Sequence, residues 1–76
     1  FAEIISLMED KDFNRIKVVL VEHKRTVRWL SEALGKDSAT GSKWCTNTTQ
    51  PSLETLFKIS ELLQVPVLEL IKKQNI

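Results

Sequence analysis

TVRWLSEALGKDSATGSKWC, residues 26–45, is the stretch whose reading decides the fold. Thr26 is a helix-capping residue, and after it Trp29, Leu30, Ala33 and Leu34 recur at helical spacing until Gly35, a natural C-terminal stop. Asp37 is a second capping residue, opening a short helix through about Cys45 with Trp44 on its inner face. Leu34-Gly35-Lys36-Asp37 leaves only a tight connection containing a glycine. Two helices joined that closely must cross at a steep angle.

Working outward, Asp12 is placed to cap a helix running through about His23, with Ile16, Val19, Leu20 and His23 at i, i+3, i+4 and i+7. Downstream, Thr46-Asn47-Thr48-Thr49-Gln50-Pro51 is a polar turn. Ser52 caps a fourth helix carrying Leu53, Leu56, Phe57, Ile59 and Leu63, and Pro66 suits the first turn of a fifth, with Val67, Leu70 and Ile71 as its apolar side. Phe1, Ile4, Ile5 and Met8 repeat the same spacing, so an extra amphipathic segment can precede the rest. The reading is an all-α fold of five helices, divided into an N-terminal extension (1–12), a single domain (13–72) and a tail (73–76).

The whole chain has 76 residues, enough for one domain, and only about 60% of the unfolded surface can be buried at that size. Cys45 is the only cysteine and His23 the only histidine, so neither an internal disulfide nor a four-ligand zinc site can be built. No metal or cofactor is expected, and a reducing cytoplasm suits such a chain. Residues 1–8 carry neither the basic leader nor the cleavage pattern of a signal peptide, and no apolar run approaches the roughly 20 residues of a membrane span. The net charge is only +1, but Arg15, Lys17, Lys24, Arg25, Arg28, Lys36 and Lys43 face only Glu22, Glu32 and Asp37 across the middle of the chain. That local excess is what phosphates would feel, although an ordinary solvated surface has the same composition. Lone residues on helical faces, with no carboxylate pair or nucleophile constellation, argue against an enzyme and leave catalytic residues unassigned. A buried or half-buried His23 closing the first helix is the simpler expectation.

A tight helical corner belongs both to generic αα-corners and to the helix-turn-helix of DNA-binding proteins, and spacing alone does not choose between them. Sequence resemblance does. Gln50-Pro51-Ser52-Leu53-Glu54-Thr55-Leu56-Phe57-Lys58-Ile59, Leu30-Ser31-Glu32-Ala33-Leu34-Gly35, Ser42-Lys43-Trp44, and Val65-Pro66-Val67 followed by Glu69-Leu70 stand in the order and spacing of one family. Over residues 14–71 the chain resembles the XRE/Cro-like, lambda-repressor-like helix-turn-helix regulators of phages and bacteria. The resemblance implies a sequence-specific repressor or autoregulator of transcription that binds a palindromic double-stranded operator as a homodimer.

Carried over by position, Ser38, Ala39, Ser42 and Lys43 match recognition-helix residues that face base edges. Lysine can donate to guanine O6 and N7, serine can accept or donate, and an alanine methyl can meet a thymine methyl. Thr26, Asn47, Thr48, Thr49 and Gln50 match positions against the sugar-phosphate backbone, which set register without reading sequence; Arg28, in the same helix as Thr26, and Thr40 join that set as further phosphate contacts. Val67, Leu68, Leu70 and Ile71 are the expected dimer surface, some of them being needed in the core as well. An antitoxin that also binds a toxin protein, a restriction-modification controller, and a protein-protein module on the same scaffold remain as alternatives.

Several residues depart from the family pattern. Gly41 stands where a branched apolar side chain usually ties the recognition helix to its neighbour; glycine there costs about 1 kcal/mol in helix propensity and about 1.5–3 kcal/mol of forgone burial. Trp29 or Trp44 is large enough to fill the expected gap; otherwise the helix sits loosely. Leu20 and Cys45 replace a buried Arg–Glu pair together, which makes Cys45 a core residue and not a reactive one. Val27 replaces a phosphate-contacting glutamine, Lys24-Arg25 replaces a Gly-Leu turn, and Trp29, at a usually polar position, is expected to pack within the molecule.

Overall fold

The computed structural model describes residues 13–72, so the apolar repeat of residues 1–8, Asp12 and the tail lie outside the described residues. Within them the chain forms α1 (Ile16–Glu22), α2 (Val27–Leu34), α3 (Ser38–Cys45), α4 (Leu53–Leu63) and a single 3-10 turn (Val67–Leu70). The all-helical reading holds, with the fifth helix reduced to that turn.

Three capping residues act as their chemistry dictates. The side chains of Thr26, Asp37 and Ser52 accept from the backbone N–H of Trp29, Thr40 and Thr55, each satisfying an otherwise orphaned donor in a first turn. Gly35 ends α2 at φ 70°, with its own N–H on the Glu32 carbonyl and that of Lys36 on Ser31. This is the left-handed stop that glycine adopts without a Cβ penalty. The first helix differs from expectation. It begins at Ile16, its N-cap Arg15 makes no side-chain cap, and Oδ1 of Asn14 accepts from the Ile16 N–H at 3.1 Å instead.

Each element contributes an apolar face to one core: Ile16, Val19 and Leu20 from α1, Leu30 from α2, Trp44 and Cys45 from α3, Leu56, Ile59 and Leu63 from α4, and Leu70 from the 3-10 turn. Burial of Leu20 and Cys45 bears out the apolar replacement of a charged pair. Desolvation pushes the Cys45 thiol above its ordinary value, with Lys17 opposing weakly, so the protonated thiol is the favoured form. His23 does not close this core. Helix α1 stops at Glu22, so His23 leaves the apolar stripe and is exposed.

Leu70 corrects part of the dimer expectation. Its side chain is 0% exposed, whereas Leu68 is 80% and Ile71 40% exposed. A side chain enclosed by its own core has no surface left for a partner. The ends of the domain are tied by an isolated antiparallel bridge, Asn14 to Ile71, flanked by Arg15 N–H on Leu70 O and Lys72 N–H on Phe13 O, both at 2.8 Å.

Candidate nucleic-acid interface

Helix α3 has two distinct faces. Gly41, Trp44 and Cys45 are buried, while Ser38, Ala39, Ser42 and Lys43 are exposed. The exposed four fall at i, i+1, i+4 and i+5, and therefore on one side of the helix. Thr40 lies between the two faces, half-buried. The Asp37 carboxyl is held below the ordinary carboxylate range, first by the Thr40 hydroxyl, then by its N–H at 2.8 Å, with Lys43 adding attraction.

The expected gap at Gly41 is absent. A Cβ built on Gly41 would collide with Ser31 Oγ and come within 3.2 Å of Val27 Cγ1. Helices α2 and α3 approach so closely that Ser31 and Val27, not Trp29 or Trp44, occupy the space. Ser31 is itself 1% exposed, and its hydroxyl donates to Val27 O at 3.0 Å, so it cannot turn aside without stranding a buried polar group. Glycine is thus the residue this crossing requires, and Val27 has exchanged a surface role for packing against it.

Around α3, Arg28, Ser31, Glu32, Lys36 and Ser38 line one shallow surface groove, which brings the α2 cation Arg28 beside the start of α3. Arg28 Nε also donates to Glu32 at 3.0 Å, both side chains being largely solvated, a pairing of small energetic consequence. Thr26 is exposed at the start of α2. Trp29 packs partly against the core, and the Arg25 guanidinium lies 4.5 Å from its ring centroid. Lys24, where a glycine turn is usual, takes the left-handed conformation at φ 57°.

The turn after α3 holds a network that sequence reasoning missed. Asn47, at φ 60°, accepts through Oδ1 from the backbone N–H of Phe13 (3.0 Å) and Asn14 (2.9 Å), and its Nδ2 donates to Asn14 O at 3.2 Å. Asn14, 6% exposed, answers with Nδ2, which donates to Trp44 O at 2.9 Å and Gln50 Oε1 at 2.7 Å. Gln50 Nε2 donates back to Asn47 Oδ1 at 3.1 Å. Two residues assigned to the backbone-contact set, Asn47 and Gln50, are therefore bound into the domain through their side chains. Thr48 and Thr49 remain exposed, with both N–H groups on Lys43 O. Asparagine at a helix C-terminus was a signal for the left-handed backbone at Asn47, since it is the usual substitute for glycine there. No local pattern announced its partner 33 residues away.

Among the described residues, no group of three or more His, Cys, Asp or Glu is placed to hold a metal, and no helix is long and apolar enough to cross a membrane. A helix-turn-helix family model matches residues 16–70. A crystal structure provisionally described as a DNA-binding protein from Bacteroides fragilis aligns at 56% identity and a TM-score of 0.77, covering 78% of this chain and 95% of that one. No curated protein matches in sequence. A short α2–α3 connection, a solvent-facing α3 surface and a family match across nearly all of the described domain agree: the chain belongs to the XRE/Cro-like helix-turn-helix family of DNA-binding regulators.

Proposed function

We propose that the protein is a sequence-specific transcriptional repressor or autoregulator that reads the major groove of double-stranded DNA with residues 37–45. The observation that carries this is the two-faced character of α3, with Gly41, Trp44 and Cys45 anchored inward and Ser38, Ala39, Ser42 and Lys43 outward. In this reading the capped N-terminus of α3 enters the groove, and Lys43 supplies a donor to guanine while Ser38, Ala39 and Ser42 meet neighbouring base edges. Thr26 and Arg28 at the start of α2, Thr40, and Thr48 and Thr49 on the following turn lie against phosphates and fix register.

The protein acts as a homodimer on a palindromic operator, placing two α3 helices in successive major grooves about 34 Å apart. Leu68 and Ile71, exposed beside the buried Leu70, supply the apolar part of the contact, with half-buried Val67 at its edge. Selection of bound duplexes from a random pool tests the proposal, with a two-fold symmetric site as the expected result. Absence of binding even at low salt, where phosphate contacts are strongest, would exclude it and leave a protein-protein module.

A further inference from the structure

We infer that Asn47 is a positioning residue, which holds the turn 46–50 in its DNA-contacting place by gripping the backbone at Asn14, and does not itself bind phosphate. The inference rests on the DNA-binding reading and refines one part of it. Asn47 combines two features that place it inside the architecture: a left-handed backbone, and a side chain whose oxygen and nitrogen both bond to the 13–14 segment. Asn14 returns the grip on both sides of the turn, through Trp44 O in the last turn of α3 and Gln50 Oε1 before α4. The same Asn14 accepts from the first N–H of α1, that of Ile16, through its Oδ1. One buried asparagine thus links the start of the domain to the end of the recognition helix, with Asn47 as its counterpart. The threonines they hold in place, Thr48 and Thr49, are exposed.

The roles separate because Asn14 is buried and has no route to a duplex, so only a positioning role can make DNA affinity depend on it. Asn47→Gly keeps the left-handed backbone at no steric cost and removes the grip. Asn14→Ser keeps an oxygen to cap Ile16 and removes the amide that reaches Trp44 and Gln50. The probe is a mixed-sequence duplex at low salt, measured with each single variant and the double, at a temperature where circular dichroism shows all of them folded. Amide hydrogen exchange at Thr48 and Thr49 is measured first, without DNA. The expected result is faster exchange at both threonines in both variants. Each single variant then weakens binding about tenfold, equivalent to removing one or two hydrogen bonds to phosphate, with the double variant no weaker than the worse single. The same weakening across duplexes of different sequence is expected, because the turn positions and does not read. Unchanged exchange overturns the inference, as does wild-type affinity in Asn14→Ser with a loss confined to Asn47→Gly. A wild-type protein that binds no duplex removes the DNA-binding reading itself, and the inference falls with it.

Discussion

Where α3 lies against α2, small side chains meet and space itself is the constraint; where α3 ends, three amide side chains hold the neighbouring segments by hydrogen bonds. At Gly41 there is no atom to spare, because Ser31 Oγ and Val27 already occupy the position of a Cβ. At Asn47 the contact is made by directed hydrogen bonds to Phe13, Asn14 and Gln50. Packing of the first kind tolerates no added volume but few specific atoms matter, whereas the second depends on each donor finding its acceptor. Helix α3 is thereby fixed in distance from α2 by steric contact and in orientation at its C-terminal end by hydrogen bonding.

The largest expected effect tests the steric side. Gly41→Val forces overpacking against Ser31 and Val27 and should destabilise the domain by about 3 kcal/mol, read from urea unfolding. A rise in stability would mean that a void exists there after all. Removing the larger obstacle should relieve most of the strain: in Ser31→Ala/Gly41→Ala the two Cβ atoms meet at 3.5 Å and only the 3.2 Å approach of Val27 Cγ1 remains, so the double variant should come within about 1 kcal/mol of the wild type. Failure of that rescue would make Val27, and not the Ser31 hydroxyl, the main obstacle.

The polar side responds to deletion. Asn14→Ala strands the buried Ile16 N–H and removes the donor shared by Trp44 O and Gln50 Oε1, and should cost about 1–3 kcal/mol, although almost no apolar surface is removed. A smaller effect follows at the other end of the corner, where Lys24 holds a left-handed backbone. Lys24→Gly should stabilise by about 0.5–1 kcal/mol in thermal melts. Asp37 gives the smallest change, a melting temperature lowered slightly in Asp37→Ala. Its depressed carboxyl value sets the sign: the stabilisation is complete above the unfolded carboxylate value and is lost as pH falls through the lower folded one. The difference between wild type and Asp37→Ala should therefore be constant near neutrality and close in acid.

Much of the architecture was legible because it is local. Thr26, Asp37 and Ser52 cap the helices that follow them, and Gly35 stops α2, since capping depends on residues within one turn. The inward Trp44 and Cys45 follow from helical period. What escaped was set by distance in space. A glycine in place of a branched residue looks like a gap in sequence, and only the position of Ser31 shows that α2 has closed on it. Asn14 accepts from the Ile16 N–H in a segment that Asn47 also grips, a pairing with no sequence period. Leu70 looked equally suited to a core and to a dimer, because one apolar residue per turn serves either purpose.

The central claim is that the outward face of α3 reads sequence, and Lys43 tests it most directly. Binding constants of wild type and Lys43→Ala should be compared on the selected palindrome and on a set with each base pair of the half-site replaced in turn. The account predicts that Lys43→Ala abolishes the preference at one symmetric position per half-site, at about 1–3 kcal/mol for each lysine–guanine pairing removed, and leaves preferences elsewhere intact. Equal weakening on every sequence, with every preference retained, would make Lys43 a phosphate-binding residue and contradict the account.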